Sequence, residues 1–183
     1  HLDLHDPEVE WVTHTPSRPL KVAPQLFPDG IKVPRLLLER NIIHLPALSA
    51  HPAMAIAGGM VSTAQLWFGH AHAAALSRVP IADVLADAVA LQQELSAGSL
   101  TVVDATLVGQ GSSLANMRLK EWSLILASTD HVAVDTLGAI ILGYPPQEIP
   151  ALQQAQERGL GISDLAALSI LGENLLGPDW NLQ

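Results

Sequence analysis

The stretch WSLILASTDHVAVDTLGAIILGY, residues 122–144, decides the fold: an apolar run ends abruptly at Ser128, Thr129 and Asp130, and apolar residues then recur at helical spacing. It reads as strand, cap and helix. Residues 124–128 suit a strand buried on both faces, and the Asp130 side chain can accept hydrogen bonds from the free N–H groups that open the next helix. A carboxylate is thereby placed at the C-terminal end of a strand, where open α/β sheets usually bind ligands.

Outward from this segment the elements alternate. Upstream, residues 81–97 form an amphipathic helix with Val84, Leu85, Ala88, Leu91 and Leu95 at helical spacing, Asp83 in its first turn and Gly98 as its stop. Residues 100–103 then read as a strand closed by Asp104, and residues 109–120 as a polar loop with glycine and serine. Downstream, a helix over 148–158 stops at Gly159 and Gly161, Ser163 starts a short helix, and 168–171 reads as a last strand. Toward the N-terminus, residues 52–76 are mostly small and apolar, which predicts a buried helix loosened at Gly58-Gly59 with Trp67 and Phe68 in the core. Residues 41–45 predict a strand ending at Pro46, residues 31–33 a short strand, and 35–40 a helix with Pro34 in its first turn. Pro7, Pro16, Pro19, Pro24 and Pro28 crowd the first thirty residues, so 1–30 read as an extended arm with at most one strand, over 9–13. The order predicts one α/β domain over 31–183, with a mixed or mostly parallel sheet covered by helices, preceded by that arm.

Composition removes several functions. At 183 residues, 49% hydrophobic and 15% charged, the chain can bury a proper core. The net charge of −9 and the lack of a Lys/Arg cluster disfavour nucleic acid and anionic lipid. The strongly apolar stretches fall far short of the roughly 20 residues of a membrane span. No basic n-region or apolar h-region precedes the domain, and the start at His1 reads as trimmed; the expectation is a soluble, cytoplasmic protein. With no cysteine, the chain can hold no iron–sulfur cluster on its own thiolates.

Candidate chemistry gathers at the strand ends. Asp104 and Asp130 each follow a strand, and if those strands are parallel neighbours their carboxylates meet, able to bind a divalent cation or to act as an acid/base pair. An antiparallel hairpin would instead place them at opposite ends. His131 and Asp135, four apart on a helix, share a face compatible with a metal or with Asp135 orienting the imidazole. His51 follows a strand end as well. The catalytic candidates are thus His51, Asp104 and Asp130, and the metal candidates are Asp104, Asp130 and His131. The glycine loop with Gly109, Gly111 and Ser112 would form a lid or anion nest over the Asp104 edge. It lacks the third glycine of a dinucleotide fingerprint, and its serines do not sit in a nucleophile elbow. His70 and His72, two apart, point to different faces and do not readily chelate one ion.

With these elements in place, residues 33–172 resemble the DUF362 family, a domain of unassigned function that often occurs in iron–sulfur proteins. The resemblance rests on six collinear motifs: Pro46-Ala47-Leu48-Ser49-Ala50-His51, Gln65-Leu66-Trp67-Phe68-Gly69, the Val-Val-Asp-Ala strand at 102–105, the Gly-rich loop at 109–111, the Ser-x-Asp-x-Val-Ala-x-Asp pattern at 128–135, and Ala-x-x-x-Gly-Leu-Gly at 155–161. It carries Ser49, Gln65 and Asp135 into the ligand-binding set. The family tends to place lysines where this chain has Ala47, Ser49 and Gln65, which removes cations suited to gripping an anion or polarising a carbonyl, and it commonly has proline at His131. The family domain also begins well before Val33. Taken together, the expectation is a domain that binds a small polar ligand or divalent metal at the strand ends. The alternative is a non-catalytic interaction or homo-oligomerisation module that has lost the family's lysines. Redox partnership with an iron–sulfur protein follows from the family association alone.

Overall fold

The computed structural model describes residues 4, 6–69, 71, 73–110 and 116–172. Its frame is a mixed sheet in which a long central strand, β6 (Gly98–Gln110), pairs on both edges. On one edge run β3 (Asn41–His44) and β4 (Ala47–His51), both parallel to β6. Thr101 and Asp104 each have a partner on this edge, His44 and Ala47, and another on β7 (Arg118–Ser128), which is antiparallel. β3 and β4 are therefore one strand broken at Leu45-Pro46, where proline has no N–H for the ladder. β5 (Ala55–Ala57) closes the sheet antiparallel to β4.

The inner face carries Thr101, Val103 and Ala105 of β6, all buried, and is covered by helices α2 (Gly59–Phe68), α4 (Ile81–Leu95) and α5 (His131–Ile141). Helix α6 (Pro150–Glu157) packs on α4 and α5, and a single turn, α3 (Ala73–Leu76), links α2 to α4. The sequence reading of α4 and α5 holds because their apolar spacing survives in three dimensions: Val84, Leu85, Ala88 and Leu91 are buried, as are Val132, Val134 and Ile141. Trp67 and Phe68 lie in the core, as expected.

Several boundaries differ. The predicted helix over 52–76 starts only at Gly59, because residues 55–57 are drawn into the sheet beside β4. The helix expected over 35–40 is a single 3₁₀ turn, Arg35–Leu37. Residues 168–171 form no strand. The two short strands flanking the glycine loop extend into a long antiparallel hairpin, with Gly109 inside β6 opposite Leu119.

Residues 1–30 also depart from the extended arm of the sequence reading. β1 (Trp11–His14) pairs antiparallel with β2 (Ile31–Pro34), and α1 (Ala23–Leu26) follows a turn whose Leu20, Val22, Ala23 and Leu26 belong to the core. The cause is a stripe of acids on α4. Asp87, fully buried, accepts the amides of Lys21, Val22 and Ala23 and pairs with Arg158 at 2.8 Å. Asp83 pairs with Lys21 at 2.7 Å, and Glu94 accepts from Ser17 and pairs with His14. Spacings of four and seven put these acids on one face of the helix. No helix among the described residues is long and apolar enough to cross a membrane.

Candidate functional site

The hairpin decides the fate of the two central carboxylates. Because β6 and β7 are antiparallel with Thr101 opposite Ser128, Asp104 lies three residues along β6 from the end at which Asp130 follows β7. At about 3.3 Å per residue, that is on the order of 10 Å along the strand. Their side chains are also occupied differently. Asp104 is exposed on the outer face and accepts the amide and hydroxyl of Thr106, and the hydroxyl first and the amide second hold its carboxyl below the usual range. Asp130 caps α5, accepting from Val132 and Ala133, and its other oxygen accepts the amide of Ile162 at 2.9 Å. A Cβ at Gly161 would collide with Asp130 Oδ1, so glycine is required for that closure. The expected Asp104–Asp130 pair is thus not assembled.

His131 and Asp135 also part company, although both are buried on α5. The His131 ring bonds Thr101 at 2.6 Å and Ser99 at 3.0 Å, and it meets His44 edge-on at 5.1 Å between centroids. His44 in turn bonds Ser62 and Gln92, whose Oε1 also accepts from Trp67. Burial, reinforced by His44, lowers His131 to about 4, and burial lowers His44 despite the hydrogen bond its ring donates to Gln92 Oε1. Asp135 instead accepts the amides of Gly59 and Met60, the opening N–H groups of α2. It is a cap supplied by another helix, and a Cβ at Gly58 would strike its carboxylate. Burial nevertheless raises Asp135 to about 6, against the two amides that favour its charge. The metal set Asp104, Asp130 and His131 is consequently dispersed, and among the described residues no group of three or more His, Asp or Glu is placed to hold an ion.

His51 fares differently. It ends β4 and lines a cavity of about 450 Å³ between the β4–β5 turn, the start of α4 and the region joining α5 to α6. Pro52, Met54, Ile81 and Leu85 give apolar walls, with Tyr144 on the α6 side. The amide of Ala53 donates to His51 Nδ1 at 3.2 Å, leaving the proton of the neutral ring on Nε2. Ala55, also in the wall, has φ of 63°, a left-handed conformation costly for a residue with a Cβ. Two helices begin here: Ile81 and Ala82 open α4, and Pro150 and Ala151 open α6. Neither start has a side-chain cap, so the first N–H groups lack partners within the helix.

Residues 5–139 match a domain of unknown function, DUF362. The chain belongs to the DUF362 family. The match takes in most of the N-terminal segment, in keeping with its place in the core, and ends within α5, short of the 155–161 motif. No curated protein and no solved structure matches the chain. Two of the collinear motifs have identifiable physical tasks in this fold. The 128–135 motif supplies two helix caps, Asp130 and Asp135, and the 155–161 motif brings Gly161 against the first of them. Ser49 lies on β4 beside Ala57, and Gln65 is exposed on α2; neither lines the His51 cavity. Gly111, Ser112, Ser113, His70 and His72 lie outside the described residues.

Sequence reasoning missed Asp87, Gln92, His44 and Tyr144. Asp83, Asp87 and Glu94 in an otherwise apolar helix were a usable signal, since acids there must find partners. Tyr144 carried none, because it reaches the cavity only through the turn after α5.

Proposed function

We propose that this protein binds a small ligand in the His51 cavity, one with an apolar body and a carboxylate or phosphate head. The observation that carries the reading is the convergence of the His51 side chain with two uncapped helix starts on a single apolar-walled cavity. N–H donors at a helix start, together with the positive end of its dipole, favour an anion. The volume falls within the range of small-molecule sites. Among the described residues no carboxylate lines the cavity, so a divalent cation would find there none of the hard oxygen ligands it prefers. Among the described residues of its lining, His51 and Tyr144 carry side chains able to give or accept a proton.

The test is a titration with benzoate and with phenyl phosphate, followed by amide NMR. The expected result is saturable movement of the Ile81, Ala82 and Ala151 amides by at least one probe, weakened about tenfold or more in His51→Ala, since a hydrogen bond to a charged group contributes ~1.5–3 kcal/mol. Shifts scattered away from this cavity, or binding indifferent to His51, would refute it.

A further inference from the structure

Among the described residues, no layer covers the outer face of the sheet. Register fixes which side chains share it: Asp104 stands between Ala47 and Ile125, and Leu107 pairs with Glu121. On this face Ile43, Leu45, Leu107, Leu119 and Ile125 are between 56% and 75% exposed. Soluble proteins seldom leave so many large apolar groups together in water unless something docks on them. The charges there have one sign. Asp104 and Glu121 are exposed on it, whereas Arg118 and Lys120 occupy alternate positions of β7, with the Lys120 ammonium 4.2 Å from the centre of the Trp122 ring.

We propose that this face docks a basic amphipathic helix of another protein, its apolar stripe lying on the exposed leucines and isoleucines and its flanking Lys or Arg reaching Asp104 and Glu121. A helix is the element that covers the opposite face of the same sheet, and it satisfies its own backbone, so it needs only apolar contact and charge. A second copy of this chain fits less well. Face-to-face pairing would set Asp104 and Glu121 against their own counterparts, between chains that each carry a net charge of −9, and like charges at an interface oppose association. The face shares no residue with the His51 cavity, so the two readings stand or fall separately.

The experiment uses the full chain with two synthetic helices of the same apolar stripe, one flanked by lysines and one by glutamates. Sedimentation velocity establishes the oligomeric state, and fluorescence anisotropy measures binding. The expected result is a monomer at about 100 µM that prefers the lysine helix by about tenfold or more, as charge complementarity at an interface requires. Ile125→Thr, which removes an apolar contact without adding charge, should weaken that helix about tenfold. Asp104→Asn with Glu121→Gln should erase the preference between the two helices. Unchanged thermal unfolding of these surface variants keeps the comparison valid, and Leu107→Thr provides a second apolar deletion should Ile125→Thr not fold. The proposal is overturned by a dimer that Ile125→Thr dissociates, by equal affinity for the two helices, or by binding insensitive to the apolar deletions.

Discussion

The two buried titrating groups on α5 oppose each other, and this gives a sharp test of the core. Burial lowers His131 from 6.5 to about 4, so between those pH values the unfolded chain holds a proton that the folded chain lacks, and stability from this group falls as pH falls. Asp135 is raised from 3.8 to about 6; over that interval the folded chain holds the extra proton, and stability from this group is fully present below pH 3.8 and lost as pH rises through about 6. At about 1.4 kcal/mol for each tenfold change in proton affinity, each group is worth ~3 kcal/mol, and the two nearly cancel between pH 4 and 6. Asp135→Asn removes one side of the balance. Relative to wild type it should lose a further ~3 kcal/mol on going from neutral pH to about pH 4. His131→Gln removes the other side and should gain by a similar amount over the same range. The assay is urea unfolding at a series of pH values, reading each variant minus wild type, so that a constant offset from a weakened hydrogen bond drops out. Difference slopes of the same sign, or flat in both variants, would refute the burial argument for this pair.

The remaining expectations concern the carboxylates that hold segments together. Asp87→Ala strands three backbone amides and the Arg158 guanidinium; it should destabilise the fold by about 3–5 kcal/mol, a fall in Tm of order 10 °C, and expose residues 15–30 to protease in the native state. A Tm within error of wild type would show that the α4 acids do not secure this segment. Asp130→Ala should cost about 1–2 kcal/mol by uncapping α5 and freeing Ile162, while leaving any anion binding at His51 unchanged. Asp104→Asn, by contrast, should change Tm little in a thermal melt, because the side chain is exposed and its hydrogen bonds run to Thr106, two residues away.

How much was legible in the sequence follows from the range of the physics involved. Helix α5, its Asp130 cap and the strand before it were readable because capping and apolar periodicity act within a few residues. Helix α4 was readable for the same reason, and the DUF362 motifs added order along the chain. Strand direction was not readable. Whether 98–110 and 118–128 run parallel or antiparallel depends on packing across the sheet, and that choice separates Asp104 from Asp130. The N-terminal segment was misjudged for a related reason: its prolines fix local backbone angles, but its burial is set by Asp83, Asp87 and Glu94 more than sixty residues away.

The sequence by itself determined an α/β domain, its main helices and its lack of thiol chemistry, since composition and short-range spacing are properties of the chain alone. Tertiary structure decided what each polar residue does. It made caps of Asp130 and Asp135, buried His131 beside His44, and left His51 facing a cavity beside two helix starts. Those assignments rest on which groups meet after the sheet closes, and a carboxylate's role is set by the donors that reach it.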